Sequence, residues 1–265
     1  MASLDTKVAP PLPAAARPVA SAARDAILEL KARIGKSVLG QDHLVESMVI
    51  GLLANGNLLI ESLPGLAKTR AVKTLAKNLA ADLSRVQFTP DLLPSDVTGA
   101  FVYDQKDSEF VFRPGPIFTG LLLADEINRT PPKTQAALLE SMQEHQVTVE
   151  GQTFPLPTPF HVLATANPVE YEGTYPLPEA QLDRFMLRLG VGYPEREDEW
   201  QVLARRMERE VDEIELQPVV DGSTLLAMQG SLEQVHVSEQ VGLYMVDLVT
   251  ATRVSPRVWR SSVTT

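Results

Sequence analysis

Residues 61–70 read ESLPGLAKTR, a near match to the phosphate-loop pattern G-x-x-x-x-G-K-[ST] in which Ser62 and Ala67 stand where glycines are expected. The flanks decide how to read it. NLLIES before it is an apolar run of strand length, and TRAVKTLAKNLAADL after it repeats apolar residues at helical spacing. Strand, tight turn and helix are the context in which backbone N–H groups converge at a helix N-terminus and meet polyphosphate oxygens. In that setting Lys68 reaches the β- and γ-phosphates and the Thr69 hydroxyl ligates Mg²⁺. A non-glycine residue at positive φ costs roughly 1–2 kcal/mol, so Ser62 and Ala67 are tolerable where the backbone need not go there. Taken alone, the loop is equally compatible with an ordinary turn.

Three further pieces lie downstream. LLLADE (121–126) reads as a buried strand delivering Asp125 and Glu126 at its C-terminal end, where ligands bind in parallel sheets. Asp125 is placed to hold the metal through water and Glu126 to activate the attacking water; the plainer alternative is two solvated acids. LATANP ends an apolar run on Asn167, whose amide suits a γ-phosphate or a lytic water, although alone it reads as a turn residue before proline. In LPEAQLDRF, Arg184 on a short helix before the last strand suits an arginine finger acting from a neighbouring subunit. A lone arginine there reads instead as a surface ion pair with Asp183 or Glu179. Four such pieces in this order favour a nucleotide hydrolase binding ATP and Mg²⁺.

Bulk properties narrow the class. The 265 residues carry a net charge of −10, with 44% hydrophobic and 22% charged residues, a globular composition. The basic residues do not cluster, which argues against nucleic acid. The absence of cysteine excludes disulfides and thiolate chemistry, and the four histidines have no metal-ligand spacing. No apolar run approaches the roughly 18 residues of a membrane span. The Ala/Pro-rich start lacks the features of a signal peptide, so residues 1–23 are expected to be a disordered tail and the protein cytoplasmic.

Between the motifs, strands alternate with helices, which predicts an α/β fold with a mostly parallel sheet flanked by helices. AFVYD and EFVFR around QKDS predict one β-hairpin, and QVTVEGQTFPL predicts a second around Glu150-Gly151. FHVLATANP and LRLGVGYP read as further strands. The expected division is an α/β core over 24–195 followed by helices over 196–265.

GQDHLVE, LPGLAKT, FTPDLLPSDVTG, FRPGPIFTGLLLADEINRTPPKTQAALLESMQE, LATANPVEYEGTYPLPEAQLDRF and LRLGVGYP together resemble the MoxR family of AAA+ ATPases over roughly residues 25–200. The resemblance implies an AAA+ P-loop NTPase core with Lys68 and Thr69 as Walker A, Asp125 and Glu126 as Walker B, Asn167 as sensor 1 and Arg184 as arginine finger. The nucleotide contacts then run through Ser62, Leu63, Pro64, Gly65, Leu66, Ala67, Lys68, Thr69 and Arg70, with Thr69 and Asp125 serving the metal. It also implies a hexameric ring, a helix-2 insert hairpin near 90–115 and a pre-sensor-1 hairpin at 146–156 facing a central pore. Family members remodel client proteins, insert metal cofactors or mature enzymes, often with von Willebrand factor A-domain partners.

Ala67 is typical of the family, whose loop commonly reads G-x-P-G-x-A-K-T; Ser62 departs from it and predicts weakened but retained ATP binding. Ser255-Pro256-Arg257 echoes a sensor 2 segment without its glycine, so Arg257 is not assigned, and the helical lid is expected to be partial, with slow isolated hydrolysis. Two alternatives stay open: a nucleotide-binding scaffold with little hydrolysis, and a magnesium-chelatase-like motor subunit.

Overall fold

The computed structural model describes residues 16–62, 68–168, 173–209 and 218–254. Its centre is a five-stranded parallel sheet built from β1 (Leu58–Ser62), β2 (Leu83–Gln87), β5 (Leu121–Asp125), β8 (His161–Ala166) and β9 (Leu187–Val191), in the order β2-β5-β8-β1-β9. β5 and β8 are buried along their whole length. That is why both read as near-continuous apolar runs: a parallel strand covered on both faces has no solvent side to alternate with.

The alternation survives as a division of the core. Leu58, Ile60, Leu121, Leu123, Leu163 and Leu189 point to one face and meet helices α1 (Ala16–Ser37), α2 (Asp42–Leu53) and α3 (Lys68–Asn78). Leu59, Leu122, Ala124, Val162 and Ala164 point to the other and meet Val97 of the short α4 (Pro94–Thr98) and Leu138, Leu139 and Met142 of α5 (Pro132–Glu144). Burying a leucine-sized side chain contributes about 1.5–3 kcal/mol, so the two layers supply most of the cohesion.

α1 corrects the expected tail. The helix begins at Ala16, eight residues ahead of the predicted boundary at residue 24, and Ala23 is buried in the core. Alanine is the strongest helix former, and Pro18 falls in the first turn, where a missing N–H costs nothing. Residues 1–15 lie outside the described structure, as does the Ser255-Pro256-Arg257 segment.

Two hairpins stand beside the sheet. β3 (Gly99–Asp104) pairs with β4 (Glu109–Pro114), and β6 (Gln146–Val149) with β7 (Gln152–Pro155). The second turns at Glu150 (φ 49°) and Gly151 (φ 79°), two consecutive positive values whose twist matches the strands. Phe112 of β4 stacks on Phe154 of β7 with centroids 3.9 Å apart and planes 11° from parallel, and Phe101 and Phe118 pack around Phe112. At the far end of the first hairpin Tyr103 and Phe110 make an edge-on pair that is 50% and 69% exposed.

Beyond β9 run α7 (Arg196–Arg209), α8 (Gly222–Leu232) and α9 (Glu239–Val254). α8 is capped by Asp221, whose carboxylate accepts from the Thr224 N–H at 2.7 Å. It buries Leu225 and Met228 in the same cluster as α1–α3. The Gln229 amide donates to the Leu52 carbonyl at 2.6 Å. This part of the 196–265 segment is therefore packed on the core.

Candidate functional site

The C-terminal ends of β1, β8 and β5 lie on one edge of the sheet, because all three strands run the same way with Glu61 level with Ala166 and Ala124 level with Ala164. Ser62 is the last residue of β1 and 2% exposed, so its backbone is extended and needs no glycine. Residues 63–67, carrying Leu63, Pro64, Gly65, Leu66 and Ala67, lie outside the described structure, as does the side chain of Lys68. Lys68 opens α3, followed by half-buried Thr69 and exposed Arg70. The first turn of α3 holds no acidic residue, which suits the helix end for an anion.

Asp125 and Glu126 are tightly held. Asp125 is 7% exposed, and its two oxygens have separate partners. Oδ1 accepts the Thr165 hydroxyl at 2.6 Å, and Oδ2 accepts Nη2 of Arg85 at 2.6 Å. Glu126 takes a left-handed backbone (φ 61°, ψ 48°), which costs a non-glycine residue about 1–3 kcal/mol and persists only when its surroundings fix it. Its N–H donates to Thr165 Oγ1 at 2.8 Å. Its Oε2 accepts from Gln87 Nε2 at 2.9 Å and pairs with Arg129 Nε at 3.1 Å.

Asn167 closes the group. It is 3% exposed, just past β8, and tied to Asn128 twice: Asn128 Nδ2 donates to the Asn167 carbonyl at 3.0 Å, and the Asn167 N–H to Asn128 Oδ1 at 3.3 Å. Gln135, fully buried on α5, donates to the carbonyls of Ile127, Thr130 and Tyr175 and so fixes the loop after the acids.

Arg184 does not join this group. It lies two residues past the short helix α6 (Glu179–Leu182) rather than on it, and its Nε donates to Gln143 Oε1 at 3.1 Å, not to Asp183 or Glu179. Gln143 is in the last turn of α5, about 16 Å along the axis from the first turn, which follows the acids. Within one subunit the guanidinium is therefore remote from Glu126.

The donor set fits a nucleotide with a divalent cation. The Asp125 carboxylate stands at the end of β5, on the edge where the N-terminus of α3 begins and where Thr69 adds a hydroxyl. Among the described residues no three acidic or histidine side chains form a metal cage. One carboxylate and one hydroxyl suit Mg²⁺, which takes few protein ligands and keeps water and phosphate oxygens around it.

Sequence reasoning missed Arg85, Gln87, Thr165 and Asn128. In LSRVQ the alternation puts Arg85 and Gln87 on one face of β2, and a threonine inside the apolar run of β8 is the other available signal. A cavity of about 460 Å³ opens at these same strand ends, lined by Leu59, Glu61, Asn128, Asn167, Leu177 and Arg188. The Glu61–Arg188 ion pair, at 2.9 Å, lies on its wall.

Residues 57–187 match the family model described as ATPase family associated with various cellular activities (AAA). The chain is 49% identical over 225 residues to the uncharacterized protein YeaC of Bacillus subtilis, covering 85% of this chain and 70% of YeaC. It is 46% identical over 228 residues to Chaperone MoxR1 of Mycobacterium tuberculosis, covering 86% of this chain and 59% of MoxR1. A crystal structure from Cytophaga hutchinsonii, described as that of a candidate ATPase, superposes with a TM-score of 0.81 at 45% identity, covering 90% of this chain and 72% of that one.

Proposed function

Since the chain belongs to the MoxR family of AAA+ ATPases, we propose that it hydrolyses ATP with Glu126 as general base and couples the cycle to chaperone-like remodelling of client proteins. The observation that carries this reading is the convergence of Asp125, Glu126 and Asn167 on the sheet edge where α3 begins.

Thr69 and Asp125 would hold Mg²⁺, which when bound neutralises charge on the phosphate oxygens. Thr165 fixes the Asp125 carboxylate and the Glu126 backbone together. Glu126 Oε2 takes a proton from water as that water attacks the γ-phosphorus, once Gln87 and Arg129 release it. Asn167, held by Asn128, orients the same water or a γ-phosphate oxygen. Arg184 of a neighbouring copy stabilises charge on the transferring phosphoryl group, which makes a ring, six-membered in this reading, part of the mechanism. Client maturation or metal-cofactor insertion, a von Willebrand factor A-domain partner and a cytoplasmic location belong to the same proposal. The charge of −10 supports a protein client over nucleic acid. Among the described residues no helix is long and apolar enough to cross a membrane.

One observation favours a slower variant of this reading, a nucleotide-binding scaffold. Glu126 Oε2 is engaged by two donors, Gln87 and Arg129, which occupy the oxygen that would face the water. Phosphate release measured at high protein concentration against Glu126→Gln separates the two. Mg²⁺-dependent release that disappears in the variant supports the ATPase; equal, negligible release in both supports the scaffold.

A further inference from the structure

Thr165 is fully buried in the interior of β8, between Ala164 and Ala166. A hydroxyl in such a place needs partners for both its proton and its lone pairs. The proton goes to Asp125 Oδ1 at 2.6 Å, a short charge-assisted bond, and a lone pair receives the Glu126 N–H at 2.8 Å. One oxygen atom thus touches both acids. Two residues further along, just past the end of β8, stands Asn167.

Resting on the ATPase reading above, we propose that Thr165 is a positioning residue: its hydroxyl sets the metal-side carboxylate of Asp125 and the water-side backbone of Glu126 in one fixed relation to the strand that carries Asn167. Without the hydroxyl, Asp125 is free to turn about its terminal torsion, since its remaining partner, Arg85, is a half-exposed arginine. Glu126 at the same time loses the acceptor that restrains its left-handed backbone. The two acids then no longer move as a pair. Packing alone does not explain the residue, because valine would fill the same volume.

The test compares Thr165→Val, which keeps shape and removes the hydroxyl, with Thr165→Ser, which keeps the hydroxyl. Thr165→Ala is carried alongside so that the comparison stands if the valine variant does not fold. Removal of an outer partner of a metal-side ligand lowers activity or metal affinity by about 10–100-fold. Turnover in the valine and alanine variants is therefore expected to fall at least about tenfold with KM for ATP near the wild-type value, while serine restores it. Mn²⁺ binding in the presence of a non-hydrolysable ATP analogue, read by electron paramagnetic resonance, is expected to weaken in valine and alanine and to recover in serine. Equal behaviour of valine and serine in both measurements, or a loss confined to nucleotide affinity, overturns the proposal. A wild-type protein that releases no phosphate sinks the ATPase reading instead, and the Mn²⁺ comparison then still decides whether Thr165 positions the acids.

Discussion

Arg85 Nη2 lies 2.6 Å from Asp125 Oδ2, so the carboxylate assigned to the metal side of the site is already paired with a cation from the neighbouring strand. The guanidinium is about half exposed (46%) and the carboxylate only 9%. Losing the arginine therefore strands a largely buried charge, at a cost discounted for the solvent on the arginine side to about 1 kcal/mol. Arg85→Gln is expected to lower the melting temperature in the absence of divalent metal. The gain on adding Mg²⁺ with ADP should be larger than in the wild type, because the metal then supplies the missing charge. Equal gains in the two proteins would separate Arg85 from the metal's electrostatics.

Gln87 holds the Glu126 carboxylate at 2.9 Å. Gln87→Ala leaves Arg129 as the remaining named restraint on that oxygen and is expected to raise basal phosphate release several-fold, whereas Glu126→Gln lowers it by about 10²-fold or more. A stopped-flow phosphate assay on the two variants reads both directions.

Arg184 is anchored to Gln143, at the end of α5 away from its own acids. Arg184→Ala is expected to cut turnover by about 10³–10⁵ while leaving ATP binding intact. Mixing it with Glu126→Gln should restore part of the activity if the two residues serve one site from different subunits. Normal turnover in Arg184→Ala removes the residue from the mechanism.

His161 is buried at the start of β8, and burial lowers its pKa from 6.5 to about 4. The Gln229 amide faces its Nε2 at 3.3 Å, an arrangement that suits the neutral ring. Between pH 4 and 6.5 the unfolded chain binds more protons than the folded one, so stability falls as pH drops through that window and levels off below it. The full loss is about 3 kcal/mol. His161→Gln should flatten the slope of melting temperature against pH in this range; an unchanged slope would assign it to other groups.

Ser62 closes β1 with its side chain buried at the loop entrance. Ser62→Gly is expected to tighten ATP binding by removing bulk there, while costing about 0.5–1 kcal/mol of stability through the added freedom of a strand glycine. Calorimetric titration and thermal melting of the pair check both halves, and identical dissociation constants refute the first.

The elements legible in the sequence were those specified by neighbours along the chain. LLLADE and FHVLATANP announced buried strands, LRLGVGYP a last strand, and Glu150-Gly151 its hairpin turn. The partners of the acids were not legible, because they arrive by strand pairing. β2 lies beside β5, and Gln87 comes level with Asp125, only after a crossover of more than thirty residues whose register no local pattern states. Thr165 reaches Asp125 by the same route across β5 and β8. At the other extreme, Ala16 to Ala23 was hidden by composition: alanine and proline together suggest an unstructured lead, although alanine alone drives a helix and a proline in the first turn does not oppose it.

The face-to-face contact of Phe112 with Phe154 has a mechanical meaning. A stacked pair 3.9 Å apart contributes about 0.5–1.5 kcal/mol beyond its buried area, so it holds the two hairpins side by side. Because β6 follows directly on α5, the helix and both hairpins form one connected unit that ends at the exposed Tyr103 and Phe110.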